Sequence, residues 1–143
     1  MPPLVGWAAV TGTLGPEPLV LFAIIFLWTP PHFWALAMLA RDDYARAGVP
    51  MLPVVATVAE TTRQILGYTA ALVAVSLVPV ALGLLGIMYL VAALLLRGRF
   101  VQLAVRLARS GSRDDARSTF IFSLGYLALI FVAIAADLAV RGL

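Results

Sequence analysis

The adjacent carboxylates Asp42 and Asp43 are the side chains in this sequence best suited to chemistry. Adjacent carboxylates can hold Mg²⁺, which takes oxygen ligands and commonly bridges to the phosphate groups of a substrate. The flanking Arg41 and Arg46 could clamp diphosphate oxygens with their planar donor forks, and Tyr44 could donate to the same group. The alternative is that the pair begins a solvated loop and is neutralised by its arginine neighbours.

The only histidine, His32, lies ten residues before Asp42 in a stretch without charged side chains. It could meet a haem group, by ligation or through a propionate, or it could relay a proton. The alternative is a packed histidine bonded to a backbone carbonyl that Pro30 or Pro31 leaves free. Trp28 lies one helical turn before His32 on the same face, so we expect the two to share a site.

Two further groups of charged residues have a structural and a functional interpretation. Arg97 and Arg99 interrupt an apolar segment, so they must snorkel toward the membrane surface or face a wet cavity. From such a position Arg97 could reach an anionic substrate. Asp114 and Asp115 have Ser, Gly and Arg around them, which predicts a solvated turn.

The composition predicts a membrane protein. Hydrophobic residues make up 63% of the 143 residues and charged residues only 12%, whereas soluble domains are about half apolar. Several uncharged runs reach the roughly 20 residues that cross a bilayer as a helix. The ten basic residues are all arginine and lie between these runs, so membrane topology explains the net charge of +3 better than nucleic-acid binding. The absence of cysteine excludes disulfides, thiolate metal sites and cysteine nucleophiles.

We predict an all-α, polytopic transmembrane helix bundle that forms one domain over residues 1–143. Basic loops favour the cytoplasmic side, so both arginine-rich loops should be cytoplasmic, with an even number of spans between them. A turn at 83–86 divides the intervening uncharged run accordingly. Pro30-Pro31 should interrupt the hydrogen-bond ladder of the first span, and Ser118 or Thr119 could cap the last. The predicted spans, after an N-terminal stub, are about 18–39, 64–82, 85–106 and 118–137, with cytoplasmic loops at about 40–63 and 107–117.

The sequence also resembles a known family. Residues 28–37 (WTPPHFWALA) and 42–54 (DDYARAGVPMLPV) resemble the protohaem IX farnesyltransferases, or haem O synthases, within the UbiA superfamily of intramembrane prenyltransferases. Residues 2–9 and 63–66 look similar to the same family. The resemblance implies the UbiA-type fold, of which this chain would be the C-terminal portion, with about four full spans and a stub.

The resemblance implies that the enzyme transfers a farnesyl group from farnesyl diphosphate to a vinyl group of haem B and gives haem O. It implies a catalytic Mg²⁺ at Asp42 and Asp43 and a multi-pass location in the cell inner (plasma) membrane. Haem A synthase or the assembly of terminal oxidase is an implied protein partner, and nucleic acid is not. The substrate-binding residues would be Arg41, Tyr44, Arg46, His32, Trp28 and Arg97.

The sequence departs from the superfamily pattern in two ways. The second acidic motif is often written Asp-x-x-x-Asp, and the equivalent positions here are Ala40 and Tyr44. The first acidic motif is absent from the 143 residues, so we expect that this chain alone does not turn over substrate. The alternatives are a UbiA-type prenyltransferase for a quinone ring or chlorophyll precursor and, in another class, a small membrane transport or assembly protein.

Overall fold

The computed structural model describes residues 2–142, and within that range all regular secondary structure is helical. The predicted all-α architecture is therefore confirmed. The helices are α1 (Pro2–Thr11), α2 (Pro16–Leu39), α3 (Arg41–Arg46), α4 (Leu52–Val55), α5 (Val58–Val75), α6 (Val78–Ala81), α7 (Ile87–Ser110) and α8 (Arg113–Arg141).

Four helical segments are long and apolar enough to cross a membrane: Pro16–Leu39, Val58–Ala81, Ile87–Ser110 and Arg113–Arg141. The shortest have 24 residues, which at about 1.5 Å per residue exceeds the roughly 30 Å of a hydrocarbon core. Helix α2 continues through Pro30 and Pro31, although neither residue has an N–H to donate. These properties make the chain a multi-pass membrane protein.

The segment predicted as a polar loop at 40–63 is largely helical. It contains α3 and α4, and α5 already begins at Val58 instead of near Gln64. The earlier start has a local cause, because the Thr57 hydroxyl accepts a hydrogen bond from the Glu60 N–H at 3.1 Å. This N-cap begins the helix in polar sequence, before the apolar run that hydropathy detects.

Helix α8 also begins before its apolar run. The Ser112 hydroxyl accepts from the Asp115 N–H at 3.2 Å and caps the helix, which starts at Arg113. The prediction that Ser118 or Thr119 caps this helix is wrong. Both lie inside α8 and donate their hydroxyl protons to backbone carbonyls four residues earlier, so neither satisfies an N–H of the first turn.

The four long helices form a ring in which each packs against two neighbours. Helix α2 packs on α5 and α8, and α7 packs on the same two helices. Buried aromatic and aliphatic side chains from all four fill the centre. Val58, at the start of α5, and Gly111, just after α7, border one cleft. Both arginine-rich loops therefore lie at the same end of the bundle, as the two intervening spans require. The main core residues are Ile24, Leu72, Tyr89, Ala93, Phe100, Tyr126 and Ile130.

At the opposite end, the buried carboxylate of Asp137 holds the start of α7. Its two oxygens accept hydrogen bonds from the Gly86 N–H at 2.6 Å and the Tyr89 N–H at 3.2 Å. The first N–H groups of a helix have no partner within the helix itself. Here the carboxylate of Asp137 on α8 is their acceptor, and this residue is only 2% exposed.

Next to this cap, the guanidinium of Arg141 closes the turn between α6 and α7. It donates to the carbonyl oxygens of Leu84 at 2.8 Å and Gly83 at 3.2 Å. Gly83 has a φ of +71°, a conformation that side chains with a Cβ rarely adopt. The turn predicted at 83–86 is thus fixed by glycine geometry and by two charged residues of α8.

We predict that Asp137→Ala lowers the free energy of unfolding by about 1–2 kcal/mol, the usual cost of removing a helix cap. Asp137→Asn retains one acceptor oxygen and should cost less. The measurement is unfolding in mixed micelles followed by circular dichroism. Asp114→Ala, which removes an exposed carboxylate, is the matched control. Equal stability of Asp137→Ala and the unmodified chain would reject the capping role.

Candidate functional site

Asp42 and Asp43 lie in the first turn of α3, exposed at the end of the bundle that carries the arginine-rich loops. Asp43 forms an ion pair with Arg46 one turn later. Consecutive side chains on a helix diverge by about 100°, so the two carboxylates do not converge on a single point. Among residues 2–142, no cluster of three or more His, Cys, Asp or Glu could hold a metal.

These residues are nevertheless compatible with Mg²⁺ bound to a diphosphate. Mg²⁺ usually keeps several waters and is held by one or two carboxylates together with substrate phosphates. Asp42 has no ion-pair partner among the described residues, so its carboxylate is free to ligate. Tyr44 is half-buried and Arg41 is exposed. One carboxylate of the predicted metal pair is thus free, while the second is shared with an arginine.

His32 belongs to an aromatic cluster between α2 and α8. Its ring stacks on Trp28, with centroids 4.4 Å apart and planes at 19°, and lies 5.0 Å from the Phe120 ring. The Trp28 indole donates to the Ser123 carbonyl at 2.8 Å. The structure therefore brings Trp28 and His32 together, as their one-turn spacing predicts, and joins both to α8.

The hydrogen bonds of His32 indicate which ring nitrogen carries the proton. Nδ1 lies 2.8 Å from the Ser123 hydroxyl, which is itself 2.6 Å from the Phe120 carbonyl. A hydroxyl has one proton and a carbonyl can only accept, so Ser123 donates to Phe120 and accepts from Nδ1–H. In the neutral ring Nε2 then keeps its lone pair. It has no hydrogen-bond partner within residues 2–142, which leaves it available to a ligand or a proton.

Arg97 does not snorkel, because its guanidinium is buried inside the bundle. It is 2% exposed, and its Nη2 donates to the Ser76 carbonyl at 2.5 Å and to the Tyr89 hydroxyl at 3.0 Å. The Tyr89 hydroxyl donates to the same carbonyl at 2.9 Å. This carbonyl stands where α5 ends, and Val80 N–H, its partner in a continuous helix, bonds to Leu77. Arg97 thus repairs a helix break, and the geometry does not support its predicted contact with substrate.

The hydrogen bonds around Arg97 are incomplete. Its Nε and Nη1 and the Tyr126 hydroxyl are buried without a partner among the described residues. The guanidinium lies 5.7 Å from the centre of the Tyr89 ring, a cation–π distance. By contrast, Arg99 is exposed and donates to Gln102. Arg97 is therefore a buried charge that is only partly compensated.

The acidic pair in the second loop is not a uniformly solvated turn. Asp114 is exposed, but Asp115 is 7% exposed and pairs with Arg106 at 2.9 Å. The Ser110 hydroxyl donates to the other Asp115 oxygen at 2.5 Å. The prediction is therefore wrong for Asp115, because its carboxylate ties the end of α7 to the start of α8.

Sequence reasoning missed Ser123, which organises the histidine cluster. A signal was available, because Thr119, Ser123 and Tyr126 recur at helical spacing within an apolar segment and all three are fully buried. Such a polar stripe indicates a helix face with internal partners. Within residues 2–142, no hydrogen bond or ion pair connects this cluster to α3.

Comparison with known proteins places the chain among prenyltransferases. The sequence profile of the UbiA prenyltransferase family matches residues 1–136. Relatives named "Protoheme IX farnesyltransferase" include proteins of Roseiflexus castenholzii (55% identical over 139 residues), Dechloromonas aromatica (56% over 137) and Gloeobacter violaceus (56% over 138). No solved structure matches this chain.

The similarity covers nearly all of this chain but only part of each relative. The matches include 97%, 96% and 96% of the chain and 26%, 46% and 45% of the three relatives, respectively. The chain thus spans about a quarter of the first relative and less than half of the other two.

We predict that Ser123→Ala changes the tautomer of the His32 ring, because Nδ1–H loses its acceptor. The chain has one histidine, so the ¹⁵N spectrum of labelled imidazole reports this ring alone. At about pH 9, where imidazole is neutral, the unmodified chain should show Nδ1 protonated. Ser123→Ala should shift the neutral ring toward the Nε2–H tautomer. Ser118 is exposed, and Ser118→Ala should leave the tautomer unchanged. A protonated Nε2 in the unmodified chain would contradict the assignment.

We predict opposite outcomes for two substitutions of Arg97. Arg97→Met fills a similar volume and removes a buried charge, while Tyr89 still donates to the Ser76 carbonyl, so stability should change by less than about 1 kcal/mol or rise. Arg97→Ala leaves a cavity and should cost about 2–5 kcal/mol. Both are measured by unfolding in mixed micelles. A Met variant as unstable as the Ala variant would show that the charge itself is indispensable.

Proposed function

Because this chain belongs to the UbiA prenyltransferase family, we propose that it forms part of an enzyme that farnesylates haem B. In this reaction the farnesyl group of farnesyl diphosphate is transferred to a vinyl group of haem B and diphosphate leaves; water supplies the hydroxyl of haem O. The observation that carries the proposal is 55–56% identity over at least 96% of the chain to proteins named protoheme IX farnesyltransferase.

The first turn of α3 is the proposed site for the diphosphate. Asp42, with Asp43 beside it, would hold Mg²⁺. A metal ion bound there would neutralise negative charge on the departing diphosphate. Arg41 is exposed with no ion-pair partner among the described residues, so its donor fork is free for phosphate oxygens. Arg46 is already paired with Asp43, and because both side chains are largely exposed, the pair can open to admit a ligand.

The aromatic cluster is the proposed site for the apolar part of the reaction. The Trp28, His32 and Phe120 rings form a surface that excludes water, and aromatic ring faces stabilise a developing allylic cation. Nε2 of His32 has a free lone pair, and we propose it as the ring atom that contacts the haem substrate. Arg97 has no proposed contact with either substrate, since its guanidinium is buried against α5 and α7.

We place the α3 end of the bundle on the cytoplasmic side of the inner membrane. Seven of the ten arginines lie in 40–63 and 106–118, at that end, whereas Arg141 lies at the other. Arginine-rich loops remain on the cytoplasmic side during membrane insertion. Haem A synthase and terminal oxidase assembly remain predicted partners.

We predict that the chain binds farnesyl diphosphate in a Mg²⁺-dependent manner and that Asp42→Asn weakens this binding at least about tenfold, through loss of one anionic ligand. The measurement is calorimetry in detergent, with and without EDTA. Asp114→Asn is the matched control because it removes an exposed carboxylate from the other loop without touching α3. Equal loss in both variants, or binding that ignores Mg²⁺, would contradict the proposed site.

A further inference from the structure

A cleft with two arginines and several apolar residues in its lining lies between the two arginine-rich loops. Its volume is about 140 Å³, enough for several water molecules at about 30 Å³ each. It opens at the end of the bundle, where α2 and α3 meet the starts of α5 and α8. The lining residues are Met38, Arg41, Pro53, Val58, Gly111 and Arg113.

Two arginines line this cleft without a carboxylate partner among the described residues. Arg41 comes from the first loop and Arg113 from the second, and both are exposed. Neither forms a salt bridge with any residue between 2 and 142, whereas Arg46 and Arg106 do. On α8, Asp115 pairs with Arg106, and the exposed Asp114 forms no ion pair among the described residues. The positive charge in the cleft is therefore available to a ligand.

The backbone adds to the positive potential. Val58 and Arg113 are the first residues of α5 and α8, which have 18 and 29 residues. Helix N-termini carry partial positive charge and unpaired N–H groups. Their caps, Thr57 and Ser112, satisfy one N–H each, so other N–H groups of both first turns remain. Two helix starts and two unpaired guanidinium groups thus converge on one cleft.

We propose that this cleft binds a phosphate group, supplied in the membrane by the headgroup of an anionic phospholipid. Planar guanidinium forks match phosphate oxygens, and basic pockets between transmembrane helices bind anionic headgroups. Three of the other lining residues, Met38, Pro53 and Val58, are apolar, as suits the upper acyl chain of a lipid. Arg41 also belongs to the proposed diphosphate site, but Arg113 has no role in the proposed farnesyl transfer, so substitutions of Arg113 test the lipid site separately.

The test is native mass spectrometry of the chain in detergent with EDTA, titrated with phosphatidylglycerol or with phosphatidylcholine of the same acyl chains. We expect one phosphatidylglycerol retained per chain in preference to phosphatidylcholine. Arg113→Gln should weaken this binding about tenfold. Arg109→Gln carries the same charge change in the same segment but does not line the cleft, so its affinity should stay within about twofold of the unmodified chain. Equal loss in the two variants, or none in Arg113→Gln, would overturn the proposal.

A second arm identifies the source of the phosphate. Inorganic diphosphate without Mg²⁺ is titrated against the unmodified chain and Arg113→Gln. If diphosphate displaces phosphatidylglycerol only when it is in large excess, the result supports the lipid as the ligand of the cleft. Tight, Arg113-dependent binding of diphosphate without lipid retention would overturn the lipid and assign the cleft to a soluble anion. Arg113→Lys keeps the charge without the fork and should weaken lipid binding less than Arg113→Gln. Circular dichroism and size exclusion confirm that each variant is folded.

Discussion

Backbone groups inside the bundle need hydrogen-bond partners from the protein, because lipid offers none, and this constraint determines where two of the buried charges, Arg97 and Asp137, lie. The hairpin from α5 to α7 has two defects. One is the Ser76 carbonyl, which α5 leaves free, and Arg97 and Tyr89 donate to it. The other is the start of α7, whose N–H groups bond to Asp137. Two buried ionic side chains thus act as backbone partners at one hairpin.

This use of buried charge limits which side chains can contact a substrate. Arg97 and Asp137 are each 2% exposed and are occupied by backbone groups, so neither can approach a substrate without unmaking the hairpin. The side chains free to act are at the other end of the bundle, on α3 and in the cleft beside it, and in the ring cluster at His32. Fold and proposed activity therefore draw on separate sets of charged residues.

The sequence was sufficient for whatever depends on local composition. Apolar run length predicted an all-helical membrane bundle, glycines marked the turn at 83–86, and one-turn spacing joined Trp28 to His32. It was insufficient where a partner is distant in sequence. Ser123 is 91 residues from His32, and the Ser76 carbonyl is 21 residues from Arg97. Helix starts were also missed, because hydropathy detects the membrane-crossing part of a helix and not its polar first turns.

The short helix α3 explains how acidic and basic functions can coexist at one membrane surface. Arg41 and Asp42 are consecutive, so helical geometry turns their side chains about 100° apart. Arg41 borders the cleft with Arg113, while Asp42 does not line it and has no ion-pair partner among the described residues. The first turn of α3 thus presents a cation and an anion of adjacent residues in different directions, so that one is left for phosphate and the other for a metal.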